Sequence, residues 1–126
     1  MTFLVVDDSR PTRNLIKSYL SEINVGQKCF FLEAEDGETA LKTMVTGHID
    51  FVLLDWNLSS KMTGLDVLKA IRDTDKNIPI IMITGESGTL NVIEAIKCGA
   101  NDFTTKPINK KTLSDKVLKA VSHMKQ

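Results

Sequence analysis

Asp7, Asp8, Asp55, Thr84 and Lys106 each stand at or just beyond the end of a short strand-like run. Phe3-Leu4-Val5-Val6 gives way to Asp7-Asp8-Ser9, Phe51-Val52-Leu53-Leu54 to Asp55-Trp56-Asn57, Ile80-Ile81-Met82-Ile83 to Thr84-Gly85-Glu86, and the weaker Asp102-Phe103-Thr104-Thr105 to Lys106-Pro107. In a parallel sheet all these ends point the same way, into the crevice where open α/β sheets place their ligands. Two unit charges about 4 Å apart repel by about 4 kcal/mol at an effective dielectric near 20, so three acids gathered there take up protons or need a counter-charge. A divalent cation with oxygen preference relieves the repulsion, and Mg²⁺ uses one or two carboxylates together with waters and phosphate oxygens. Lys106 offsets a further negative charge. The chemistry expected is a cation site beside a nucleophilic carboxylate, with a hydroxyl and an ammonium aimed at an incoming anion.

These residues are useful only if the chain builds such a sheet. Unbroken apolar runs without alternation suit strands covered on both faces. Strands are expected at 3–6, 29–32, 51–55, 80–83 and 102–106. Between them apolar residues recur at helical spacing. Leu15, Ile16, Tyr19, Leu20 and Ile23 predict a helix over 10–23, opened by Pro11 in its first turn. Ala40, Leu41, Met44 and Val45 predict one over 38–45, stopped by Gly47. Leu65, Leu68 and Ile71 predict one over 65–73, and residues 89–98 form another before Gly99. Asn109 is a fitting N-cap for a last helix whose buried stripe is Leu113, Val117, Leu118 and Val121. Five strands alternating with five helices through short connections make a doubly wound α/β domain with helices on both faces.

Composition bounds the rest. The chain of 126 residues is 42% hydrophobic and 25% charged, which is one ordinary globular domain with no room for a second. Sixteen basic residues balance sixteen acidic ones, so neither a nucleic-acid partner nor a polybasic membrane contact is expected. No run approaches transmembrane length, and the start lacks a secretory pattern, so the expected location is cytoplasmic, without membrane insertion. Cys29 and Cys98 have no metal-type spacing and are expected to be reduced, buried and inert.

Val5-Val6-Asp7-Asp8-Ser9, the acid of Leu53-Leu54-Asp55, the strand-ending Thr84 and Lys106-Pro107 together resemble the signature of two-component response-regulator receiver domains. The resemblance spans residues 1–126 and is strongest toward single-domain, chemotaxis-type (CheY-like) receivers. It implies a five-stranded, flavodoxin-like sheet of order 2-1-3-4-5. Asp55 would be the phosphoacceptor for a sensor histidine kinase or phosphotransfer protein. Asp8, Asp55 and the backbone carbonyl of Asn57 would bind Mg²⁺ directly, and Asp7 through water. Lys106 and Thr84 would contact the phosphoryl group. Thr84 and Phe103 would switch together, Glu86 and Asn57 would tune dephosphorylation, and Lys106–Pro107 would be a cis bond. Output would pass to a downstream protein, the flagellar motor or another signalling protein, through a face including Val92 and Phe103. Such a chain would catalyse its own phosphorylation and dephosphorylation and act on no independent substrate.

Plainer readings stand beside these. Asp7, Asp8 and Ser9 suit helix N-capping, Phe103 suits a core, and Trp56 suits a packed loop. Departures from the family are also visible. Leu58 to Gly64 carries Ser59 where a proline is usual and runs one residue longer, and Phe103 replaces a frequent tyrosine. The altered loop leaves open a degenerate receiver acting as a constitutive interaction module. A haloacid-dehalogenase-type hydrolase, the third class, wants a second acid two residues past the nucleophile, where this chain has Asn57.

Overall fold

Each residue of Phe51–Asp55 is buried, because this strand is the centre of the sheet. The computed structural model runs β1 (Thr2–Val6), α1 (Arg10–Ser21), β2 (Phe30–Ala34), α2 (Gly37–Thr46), β3 (Phe51–Asp55), α3 (Gly64–Thr74), β4 (Ile80–Thr84), α4 (Thr89–Lys97), β5 (Asp102–Thr105) and α5 (Lys110–Met124). It describes residues 1–58, 61–85 and 89–124, with the backbone alone at 89 and 90. The strands are all parallel, in the order β2-β1-β3-β4-β5. No helix among the described residues is long and apolar enough to cross a membrane.

Strand pleating explains why β1, β3 and β4 need apolar residues at successive positions, since alternate side chains point to opposite faces. Phe3, Val5, Phe51, Leu53, Ile81 and Ile83 go to the face covered by α1 and α5, where Ile16, Leu20, Leu113, Val117 and Val121 meet them. Leu4, Val6, Val52, Leu54, Ile80 and Met82 go to the other face, against Ala40, Val67, Leu68, Ile71 and Ala95 of α2, α3 and α4. Truncating one such leucine to alanine costs about 2–5 kcal/mol.

Caps fix where the helices begin. Ser9 accepts from the Thr12 N–H, Asp36 from the Thr39 N–H at 2.7 Å, and Asn109 from the Thr112 N–H at 3.0 Å. At α3 the Thr63 hydroxyl accepts from the Asp66 N–H while the Asp66 carboxylate accepts from the Thr63 N–H, a reciprocal capping box.

Several expectations need correction. β2 is displaced toward Ala34, because Glu33 and Ala34 pair with Val5 and Val6. It is an edge strand, so Glu33 is tolerated while Phe30 and Leu32 lie exposed. Cys29 therefore precedes β2 and Cys98 follows α4, and both are half-buried rather than packed inside elements. Leu15, Val45 and Leu118 are exposed because each helix buries a narrower stripe than its apolar residues suggest. Among the described side chains of α4 the small Ala95 is the buried one, while Ile93 and Ile96 are exposed and Val92 is half-buried. Val92, expected on the output face, is therefore only partly exposed.

Candidate functional site

β1 ends at Val6, and Asp7 extends its ladder by one bond, its N–H donating to the Ala34 carbonyl at 3.1 Å. The chain then turns into α1. Asp7 Oδ1 accepts the Ser9 N–H at 2.8 Å, and the Asp7 carbonyl accepts from Arg13 Nη1 at 2.6 Å. Asp7 is fully buried and Asp8 is exposed. Next to β1, β3 delivers Asp55 at its last position, 2% exposed. Asp55 Oδ1 accepts the Asn57 N–H at 3.1 Å, and Oδ2 accepts from Lys106 Nζ at 3.2 Å.

One carboxylate oxygen each from Asp7, Asp8 and Asp55 lies within 4.8 Å of the other two. Lys106 Nζ is also 3.2 Å from Asp7 Oδ2, at ion-pair distance but without the direction of a hydrogen bond, so that buried oxygen has no hydrogen-bond donor. Buried oxygens in a native fold are nearly always satisfied. A buried oxygen whose neighbouring ammonium is shared with Asp55, within a group of three acids, is a donor set that suits a hard, oxygen-preferring divalent cation.

The remaining expected residues reach the same edge. Thr84 closes β4, buried beside the end of β3, and its carbonyl accepts the Lys106 N–H at 2.8 Å. The Lys106–Pro107 peptide is cis. Asn57 is exposed, with its N–H turned to Asp55. Gly64 N–H donates to the Trp56 carbonyl at 3.0 Å, bringing the start of α3 against the end of β3. A Cβ at Gly64 would stand 2.1 Å from the Asp55 carbonyl oxygen, so this approach requires glycine. Trp56 packs on the core, as its plainer reading has it. Phe103 is half-buried against the α2, α3 and α4 side of the sheet. Glu86, Ser59 and Ser60 lie outside the described residues.

Burial pushes the Asp55 carboxyl up to about 6, and the neighbouring Asp7 charge pushes the same way, against the pull of Lys106 and the Asn57 N–H. For Lys106, burial disfavours the charged form, but the attraction of Asp55 and Asp7 outweighs it and its pKa rises. Lys106 is therefore a charged donor at neutral pH, and Asp55 is a shielded carboxylate able to attack an electrophile.

Sequence reasoning missed Arg13, Glu33 and Gly64. Arg13 binds a main-chain carbonyl, a partner that leaves no trace in side-chain spacing. Gly64 could have been found from its place between a strand-ending acid and a helix start.

Residues 3–118 match the family model described as the response regulator receiver domain. Chemotaxis protein CheY of Pseudomonas aeruginosa is 36% identical over 121 residues, covering 94% of each chain. Chemotaxis protein CheY-3 of Vibrio cholerae is 38% identical over 119 residues, covering 93% of this chain and 88% of that protein. Among solved structures, the receiver domain of the Francisella response regulator 1452 superposes with a TM-score of 0.86 at 28% identity, covering 98% of both chains. Vibrio cholerae chemotaxis protein CheY4 does so with a TM-score of 0.83 at 30% identity, over 94% of this chain and 97% of that one. A match over nearly the whole length, on a fold that brings the three acids and the lysine together, places the chain in the response regulator receiver domain family.

Proposed function

We propose that residues 1–126 act as one receiver unit in which Asp55 accepts a phosphoryl group from a phosphohistidine of a sensor kinase or phosphotransfer protein. The observation that carries this reading is Asp55 itself, buried at the end of the central strand with Lys106 Nζ 3.2 Å from its Oδ2 and two further acids beside it. An Asp55 oxygen attacks phosphorus, the P–O bond forms as the P–N bond breaks, and the departing imidazole nitrogen keeps the electron pair and is protonated from solvent. Lys106 turns from Asp55 toward the added negative charge, and the Thr84 hydroxyl donates to a phosphoryl oxygen. Water attack on phosphorus later releases inorganic phosphate and restores the carboxylate, at a rate tuned by Asn57 and Glu86.

The acid cluster fits Mg²⁺, which Asp8, Asp55 and the Asn57 carbonyl would hold, with Asp7 supporting it through water. Bound there, the ion supplies charge neutralisation to the transferring group. Beside Lys106 opens a cleft of about 390 Å³ lined by Thr12, Leu15, Tyr19, Lys106, Pro107 and Ile108, an apolar surface suited to seating the phosphodonor protein. Output passes to a downstream protein, a motor component or another signalling protein, through Phe103 and the exposed Ile93 and Ile96 in place of Val92. Thr84 and Phe103 change position together, a two-state equilibrium biased by one new charge.

The test is labelling with acetyl phosphate. Mg²⁺-dependent incorporation that disappears in Asp55→Asn supports the reading. No incorporation in the native chain would leave the constitutive interaction module standing instead.

A further inference from the structure

Asp7 is held at every polar atom but one. Its N–H donates to Ala34, its Oδ1 accepts from Ser9, and its carbonyl accepts from Arg13 Nη1 at 2.6 Å. The atom left over is the buried Oδ2 that faces Lys106. Arg13 is itself secured. Its side chain is 12% exposed, and its Nε donates at 3.0 Å to Glu33 Oε1 on β2. The other Glu33 oxygen accepts from Lys17 Nζ, one helical turn along α1, at 2.8 Å. The Lys17 hydrogen bond, most strongly, holds the Glu33 carboxyl below the usual carboxylate range; burial opposes it, and Arg13 adds to the lowering.

Charge alone would send an arginine in this position onto one of the nearby acids, where it would compete with a metal. Instead its guanidinium is committed to a carbonyl and to a carboxylate on the far side of the turn. We infer that Arg13 is a positioning residue for the Asp7–Asp8 turn, with Glu33 holding the guanidinium away from the site acids, so that both residues raise cation affinity without touching the cation. This rests on the reading of the acid cluster as a Mg²⁺ site. Groups that orient metal ligands from behind typically change metal affinity by 10–100-fold when removed.

The test is calorimetric titration of the whole chain with MgCl₂ and no phosphodonor, paired with thermal melts in EDTA. Arg13→Ala is expected to weaken Mg²⁺ binding about tenfold, and Arg13→Lys, which keeps a donor but not the fork, to recover part of the loss. Glu33→Gln weakens binding less, and adds nothing once Arg13→Ala is present, because Glu33 acts through Arg13. Should Arg13→Ala fail to fold, Arg13→Lys and Glu33→Gln carry the comparison. A merely structural role would lower the EDTA melting temperature and leave the Mg²⁺ dissociation constant within twofold of the native value, overturning the inference alone. A native chain that bound no Mg²⁺ would overturn the metal-site reading and this inference together.

Discussion

Lys116 stands over the ring of Phe103, with Nζ 4.5 Å from the ring centroid. The same ammonium donates to the Phe103 carbonyl and, at 3.2 Å, to Asp102 Oδ1, so one side chain fixes both the backbone and the ring at the middle of β5. The cation over the ring contributes about 0.5–1 kcal/mol at such a site. Lys116→Met, which keeps the aliphatic stem, is expected to lower stability by about 1 kcal/mol and to broaden the ring positions of Phe103. Chemical denaturation measures the first effect and aromatic NMR of Phe103 the second. An unchanged ring spectrum would remove Lys116 from any account of the proposed switch.

The raised Asp55 carboxyl makes a prediction with a definite sign. A carboxyl whose folded pKa is about 6, against an ordinary value of 3.8, binds its proton more tightly folded than unfolded. Its contribution to stability is therefore present below pH 4 and is lost as pH rises toward 6. In EDTA, Asp55→Asn is expected to be more stable than the native chain above pH 6, by on the order of 2 kcal/mol, with the gap closing below pH 4. Loss of the Lys106 partner trims this gain. Urea titrations at pH 4 and pH 7.5 make the comparison, and equal differences at both pH values would contradict the assignment of cause.

Gly64 lets the start of α3 close on the end of β3. With alanine there, Cβ would stand 2.1 Å from the Asp55 carbonyl oxygen and 2.7 Å from Trp56 Cα, both main-chain atoms that cannot move aside cheaply. Gly64→Ala is expected to cost about 1–3 kcal/mol and to slow acetyl phosphate labelling more than it lowers stability would explain. Melts and labelling rates on the same preparation test this.

The rotation of α4 is equally open to test. Ile96→Asp, at an exposed position, is expected to change stability by no more than about 0.5 kcal/mol, whereas Val92→Asp, half-buried, costs more than about 1 kcal/mol. Denaturant midpoints that rank the two the other way would restore Val92 as the exposed residue. Ile96→Asp is then the variant with which to probe partner binding.

The site was legible because its residues announce themselves twice, once by chemistry and once by position. An apolar run sets a strand, parallel strands share a direction, and so Asp7, Asp55, Thr84 and Lys106 had to arrive on one edge. Strand order was not legible from periodicity and came only with the family resemblance. The edge strand β2 was read too early in the chain because half of its surface never enters the core, so apolar content is a poor guide to where it pairs. The face of α4 was unreadable for a different reason. Val92, Ile93, Ala95 and Ile96 allow more than one rotation, and the choice turned on the smallness of Ala95, which admits the helix close to the sheet. Arg13 was not singled out, since a main-chain oxygen is a partner that no residue type betrays.

The hydrogen bond from the Lys106 N–H to the Thr84 carbonyl, at 2.8 Å, couples two tips of the sheet. In the proposed phosphorylation, the residue that would feel an arriving anion by its charge is thereby moored to the strand whose hydroxyl would answer it. On that proposal, a tug on the ammonium would strain the mooring before it reached any helix, so sensing and response would begin as a single displacement of neighbouring main chain.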